Sequence, residues 1–275
     1  MLASQSIPYL ELAQAGQHAL LVESHHAQRA LEELRRYEEE NRGFRLKRAL
    51  PPAAPFASVG TVLGALVLVA LALAQWRGAL GHDWVAAGAA RASAIRAGAL
   101  ERTVTALTLH ADVPHLLSNL VFGGLFAYLL FHTAGAGIGA LALLVAGALG
   151  NLANAWLRAG EHLSIGASTA VFAAVGLLGG TEARARHLLA EPRARRIAPV
   201  GAALLLLLYL GVGEARPTSR VDVLAHVFGL LAGLALGPLL GSLPRAWIEQ
   251  RGLQVGAALL ALLALALAWL RVLAS

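Results

Sequence analysis

The sequence predicts an all-α, polytopic membrane helix bundle. Hydrophobic residues make up 57% of the chain and charged residues 14%, where soluble domains carry about a quarter charged residues. The apolar residues fall in long runs, each near the ~20 residues that a helix needs to cross a bilayer. The enrichment is in Ala, Leu and Gly, which suits helices packing closely in lipid better than a β-barrel. The net charge of +6 therefore reads as loop topology, and no nucleic-acid signature accompanies it. The chain has no cysteine, which excludes disulfides and thiolate metal sites. Its first 20 residues show neither the basic nor the apolar region of a signal peptide.

Residues 1–50 are polar and predict a small soluble cytoplasmic domain, with a solvated helical tail as the alternative. The segment "HALLVE" suits a short strand. Ser24 is placed to cap a helix and Gly43 to end it, with Leu31, Leu34 and Tyr37 on one apolar face. Arg42, Arg45, Lys47, Arg48 and the Pro51-Pro52 pair form a basic, stiff junction. Seven spans are expected after it, at about 57–75, 114–132, 136–157, 166–181, 197–213, 221–241 and 253–272. The connection 76–113 carries Trp84, Val85, Ile95 and Leu100 and is expected at the membrane interface. With the N-terminus in the cytoplasm, the inner segments hold 14 of the 22 Lys and Arg, five of them in the short 182–196 loop. An inside N-terminus and an outside C-terminus follow.

Polar residues inside spans are costly and tend to be functional. His115 and Asn119 are four residues apart and share a helix face. Ser168 lies in the first turn of its span, and His226 about 7.5 Å into its own at 1.5 Å per residue. In the favoured orientation these four sit at similar shallow depth near the outer side. A serine becomes a nucleophile only with a neighbouring base, and the bases at that depth are the histidines. An amide, an imidazole N–H and the free N–H groups of a helix start can hold an oxyanion. Asp222, one turn before His226, is placed to reach the imidazole only from the wet mouth of the span, so a dyad fits better than a buried triad. Asn151 and Asn154 read as interhelical hydrogen-bonding residues. Taken singly, an intramembrane histidine also suits proton transport or a metal. No carboxylate lies deep in a span and no inverted repeat is visible, which counts against a transporter. There is no His-Glu-x-x-His for a metalloprotease.

Three stretches resemble the motifs of the rhomboid intramembrane serine proteases: "HADVPHLLSN", "GAST" and "AHVFGLLAG". The resemblance implies a six-span protease core over residues 56–241, with 253–272 as an additional C-terminal span. It also implies a bacterial plasma-membrane protein that cleaves single-span substrates within the lipid bilayer, without cofactor or metal. By the same resemblance Ser168 is the nucleophile and His226 the general base. His115 and Asn119, with the Ser168 N–H, line the oxyanion hole, and His110 holds structure or water. Gly166 belongs to the nucleophile motif, and Gly229 and Gly233 let the His226 helix approach the Ser168 helix. Spacing alone supports that contact: Gly229, Gly233 and Gly237 make one small face, and Thr169, Ala173, Gly176 and Gly180 another. Two departures stand out. Glu101-Arg102 replaces the family's Trp-Arg pair, leaving Arg102 to brace the loop. Thr169 replaces the glycine after the serine and is expected to hold the two helices slightly apart. The alternative function is an inactive rhomboid-like protein that binds transmembrane segments without cutting them.

Overall fold

The computed structural model describes residues 2–14, 17–40, 54–158, 160–189, 192–210 and 222–274. The proposed cap Gly43, the basic Pro51-Pro52 junction and the ends of two expected spans, at 211–213 and 221, lie outside these. The chain forms two compact units, Met1–Pro51 and Pro52–Ser275.

The first unit is a hairpin followed by a helix. Strands β1 (Tyr9–Gln14) and β2 (Gln17–Val22) pair antiparallel from Tyr9↔Val22 to Gln14↔Gln17. Helix α1 (Ala27–Glu40) follows a 3-10 turn over Ser24–His26. Ser24 is therefore part of that turn and not the cap. A small cluster of Leu2, Ile7 and Ala30 is buried, with Val22 and Leu34 packed on it. Of the expected apolar face only Leu34 contributes, because Ala30 turns the buried stripe away from Leu31 and Tyr37, which stay exposed.

The second unit is the helix bundle. Among the described residues, five helices are long and apolar enough to cross a membrane: α2 (Ala57–Trp76), α6 (Val113–Ala134), α7 (Ala136–Leu157), α10 (Val223–Leu240) and α12 (Arg251–Leu273). The expected spans at 166–181 and 197–213 differ from these. They correspond to α8 (Ser168–Leu188), which runs on into Glu182, Arg184 and Arg186, and α9 (Arg193–Leu210), which starts among arginines. Helix α8 is central. Ten of its residues from Thr169 to Gly180 are buried, so protein rather than lipid surrounds its apolar stretch. Helices α2 and α12 instead present leucines and valines outward, among them Val62, Leu66, Leu259 and Leu263, as lipid-facing surfaces do. This is a multi-pass membrane fold.

The connection before α6 is folded rather than merely interfacial. It holds the short helices α3 (Trp84–Gly88), α4 (Ala92–Arg96) and α5 (Arg102–Thr105). Asp83 caps α3 by accepting from Val85 N and Ala86 N, both at 3.0 Å. Trp84 and Ile95 are buried, while Leu100 is exposed. Two-residue strands β3 (Ala90–Arg91) and β4 (Leu163–Ser164) pair antiparallel and tie this connection to the segment before Ser168. One short helix, α11 (Arg245–Glu249), precedes α12.

Candidate active site

One end of the bundle gathers the end of α2, the start of α6, the end of α7 and the starts of α8 and α10. Asp112 caps α6, its Oδ1 accepting from His115 N at 2.7 Å, and Pro114 occupies the first turn where its missing N–H costs nothing. The turn thus fixed presents His115. Ala111 N approaches His115 Nδ1 at 3.4 Å, which makes Nδ1 the acceptor and leaves the proton on Nε2. That Nε2 lies 2.6 Å from where a Gly166 Cβ would stand, and Ser168 Oγ lies 3.7 Å from the same point. Gly166 has φ +123°, a backbone region suited to glycine. Any other residue here would strain the chain and collide with the imidazole. Its N–H donates to Ala106 O at 2.9 Å.

Ser168 is the first residue of α8, half-buried. The helix start leaves N–H groups without intrahelical acceptors and concentrates positive potential there. His226 sits in the first turn of α10 and is 6% exposed. Its ring lies 4.7 Å from that of Phe172, one turn after Ser168 on the same face. The helices are held in that register by contacts between backbones. A Cβ on Gly229 would strike the Thr169 carbonyl, one on Gly233 would lie 2.8 Å from Leu177 N, and one on Gly237 2.8 Å from Gly180 Cα. Since His226 precedes Gly229 by three residues and Ser168 precedes Thr169 by one, the two residues lie within two positions, about 3 Å, of each other along the helix axes.

Thr169 does not push the helices apart as expected. It is 2% exposed, and its methyl is enclosed by a third helix: Cβ atoms on Gly150 of α7 and Gly229 of α10 would fall 2.8 and 3.1 Å from Thr169 Cγ2. Gly150 supplies the space that a threonine needs.

Asn119 is 5% exposed, and its Nδ2 donates to His115 O at 3.0 Å, leaving its second N–H for other use. The other end of the α6 entry is His110, fully buried and edge-on to His115 at 5.3 Å between ring centroids. Neither ring nitrogen has a well-formed hydrogen bond among the described residues. Burial, with His115 adding to it, pulls the His110 pKa down to about 4, and a weak approach to the Thr108 backbone does not offset this. Gln75 clamps the His110 backbone, donating to its O at 2.8 Å and accepting from its N at 2.9 Å.

Asp222 stands directly before α10. Its carboxylate accepts from Asn154 Nδ2 at 2.8 Å, Arg158 Nη1 at 2.9 Å and Ala225 N at 3.2 Å, which caps α10 and ties it to α7. Asn151 donates to Thr103 O at 2.9 Å, so both asparagines do bond between elements. Arg102 donates to Ala86 O at 3.0 Å and Ala89 O at 3.3 Å, bracing the connection. Glu101 faces Arg271 of α12 at 3.9 Å. Sequence reasoning missed Arg96 and Glu161, paired at 2.8 Å and holding Ala155 O and Ser93 N. It also missed Gln75 and Phe172, since a lone glutamine or phenylalanine in a span carries no pattern.

The fold and this end of the bundle define a class: a polytopic helical membrane protein that gathers, at one end, a serine at a helix start and two histidines from other spans. A family model of the Rhomboid domain matches residues 97–243, more than half of the chain, and the chain belongs to the rhomboid family. It is 33% identical over 153 residues to "Rhomboid-like protease 3" of Toxoplasma gondii, covering 54% of this chain and 55% of that protein. It is 27% identical over 135 residues to the rhomboid-named YdcA of Bacillus subtilis (strain 168), covering 49% of this chain and 64% of that protein. The chain thus spans less than two thirds of the length of either relative.

Proposed function

We propose that this protein is an intramembrane serine endopeptidase that cuts transmembrane segments of single-span proteins with a Ser168–His226 dyad. The observation that supports the reading is the gathering of three elements at one end of the bundle: Ser168 at the start of α8, the His226 ring beside Phe172, and His115 Nε2 against Gly166. In this mechanism His226 takes the Ser168 proton as Oγ attacks the scissile carbonyl carbon. The tetrahedral oxyanion is held by the His115 Nε2–H, the second N–H of Asn119 and the Ser168 backbone N–H. Collapse expels the amine, which receives the proton from His226, and leaves an acyl-enzyme. Water, deprotonated by the same imidazole, then releases the acid and restores the serine. Asp222 is bonded to Asn154, Arg158 and Ala225 N, and the proposed chemistry assigns it no proton-transfer step. The binder-only alternative drew on Thr169, whose methyl has a seat between Gly150 and Gly229.

The proposed location is a plasma membrane with the N-terminus inside and the site near the outer face, because the arginines of 182–196 lie at the opposite end of α8 from Ser168. Labelling with a fluorophosphonate tests the chemistry. Wild type should be labelled and Ser168→Ala should not. Equal labelling of the two, or none of wild type, would overturn the dyad.

A further inference from the structure

We infer that α12, the helix beyond the six-span core, is a fixed support of the catalytic end, and that Trp269 is its positioning residue. The inference rests on the protease reading above. Helix α12 is a largely apolar span between Arg251 and Arg271 that carries two buried polar groups, Gln254 and the Trp269 indole N–H, and each grips the core at a different end. Near its start Gln254 is 1% exposed. Its Oε1 accepts from Gly137 N at 2.8 Å and Ile138 N at 3.0 Å, the free donors at the start of α7. Its Nε2 donates to Ala134 O at 3.0 Å, at the end of α6, and to Ile248 O at 2.8 Å. One amide thus closes the α6–α7 turn and fixes the height of α12 against it. Gly135 and Gly137 leave the room: a Cβ on Gly135 would overlap the Gln254 amide group, and one on Gly137 would overlap the Gln254 backbone.

Fifteen residues on, about 22 Å along the helix, Trp269 grips the other end. It is 6% exposed. Its ring packs against Trp84, tilted by 47° at 4.6 Å between ring centroids, and fills the space over Gly88, where a Cβ would lie 2.6 Å from Cη2. Its Nε1–H donates to Thr108 Oγ1 at 3.1 Å, and that hydroxyl donates onward to Thr105 O at 2.8 Å.

Thr108 belongs to the segment that holds the proposed site from behind. Two residues before it, Ala106 O accepts the Gly166 N–H. Two residues after it, the His110 ring rests against His115. The loop carrying the nucleophile and the imidazole offered to the oxyanion therefore share one support, and Trp269 pins its middle. With Gln254 fixing the height of α12, that pin cannot slide along the bundle axis. A shift of the pin moves Gly166 and His115 together relative to Ser168, and rate is steeply sensitive to such misplacement.

The test uses the full chain in liposomes with a transmembrane substrate. Trp269→Phe removes the N–H together with the outer edge of the indole over Gly88, whereas the Thr108 variants address the hydrogen bond alone. Thr108→Val keeps the shape and loses the hydroxyl, and Thr108→Ser keeps the hydroxyl. The expected result is a drop in kcat and in fluorophosphonate labelling rate of about 10-fold for Trp269→Phe and Thr108→Val, a fraction of the loss that a full ångström brings. KM should be unchanged, the double variant no slower than either single, and Thr108→Ser near wild type. Wild-type kcat in both single variants, losses that multiply in the double, or a change in KM alone would overturn the inference. So would a fall in thermal midpoint with kcat intact, which marks a purely structural contact. Failure of the protease reading is distinct: wild type itself would then lack label at Ser168.

Discussion

Two interfaces hold this bundle together on different physical terms. Between α8 and α10 the contact is backbone to backbone, with Gly176, Gly180, Gly229, Gly233 and Gly237 each facing the partner's main chain where a Cβ would not fit. Between α12 and the core the buried hydrogen bonds are made by two side chains, Gln254 and Trp269, whose polar atoms are spent on buried partners. Lipid tails are as apolar as leucine, so helices in a membrane gain little from greasy contact alone. Close packing and buried hydrogen bonds are the two remedies, and the protein uses one for each interface. The first suits a pair of helices that must keep one register, since backbone contacts at glycines leave little room to slide. The second suits a helix added at the periphery, which needs only a stop at each end.

The sharpest way to break the comparison is Gly233→Leu. Its Cβ would overlap the Ala173 carbonyl and approach Leu177 N, so α10 must move as a whole. The expected outcome is complete loss of substrate cleavage together with loss of the folded species on size exclusion. A Gly233→Leu protein that folds and cleaves would show that the α8–α10 contact tolerates separation. The α12 side is broken by Gln254→Leu, which leaves two buried donors and two buried acceptors without the amide. At about 1–3 kcal/mol for a buried group left unsatisfied, partly relieved by local rearrangement, a loss of about 2–5 kcal/mol is expected. Unfolding in detergent and denaturant would measure it. A variant with unchanged stability would mean that water or lipid headgroups replace the glutamine freely.

The same contrast explains what the sequence could and could not reveal. Small residues spaced four apart are visible in one dimension, so the meeting of Gly229 and Gly233 with the α8 stripe was legible before any coordinates. So were the positions of five of the seven expected spans, and the bonding character of Asn151 and Asn154. A polar residue's partner is not visible in this way. Gln254 lies four residues into its helix, where a glutamine also suits the headgroup region, and nothing in "RGLQVG" points to residues 134–138. Trp269 likewise reads as an interfacial aromatic. The connection from 77 to 112 was opaque for another reason: helices of four or five residues are too short to show a period, and Arg96, Glu161 and the β3–β4 pair act across a gap of about 70 residues. The span assignments at 166–181 and 197–213 stretched a hydropathy pattern over helices that continue into or begin with charge. Of the candidate site, the residue types and their depth were legible, whereas Phe172, Gln75 and the engagement of Asp222 needed the fold.

A third test uses pH on the region between these two interfaces. His110 ordinarily titrates at 6.5, but burial first, and the neighbouring His115 second, hold it down to about 4 in the fold. The folded state therefore favours the neutral ring. Above 6.5 neither state binds the proton and His110 contributes no pH dependence. As pH falls from 6.5 towards 4 the unfolded chain takes up a proton that the folded chain refuses, so stability falls through that window and levels below it. The thermal midpoint of wild type should drop across this range more than that of His110→Phe. Parallel curves for the two would show that His110 is hydrated or partnered in the membrane, contrary to its burial here.

The smallest effect, and the one that refines the glycine side of the comparison, concerns Thr169. Glycine is the residue that the nucleophile motif leads one to expect after Ser168, and by spacing alone a branched side chain there should hold α8 from α10. In the fold the methyl group is not in the way. It occupies a pocket whose far wall is Gly150 of α7, while Gly229 still reaches the Thr169 carbonyl. The threonine has become part of a three-helix contact, and removing it has two costs. A buried methyl contributes about 1 kcal/mol with its cavity, and glycine in a helix gives up several tenths of a kcal/mol more to backbone freedom. Thr169→Gly should therefore lower stability by about 1–2 kcal/mol and leave turnover equal or reduced by a few fold, because the residue beside the nucleophile is less firmly held. Gly150→Ala should be worse than Thr169→Gly, since its Cβ would meet both Thr169 Cγ2 and Gly229 Cα at 2.8 Å. The pair Thr169→Gly with Gly150→Ala restores volume to the same pocket from the opposite wall, and should recover part of the loss of either single change. Faster cleavage by Thr169→Gly would show that the threonine does hold the dyad apart after all. Strict additivity in the double variant would show that the two side chains do not share a pocket.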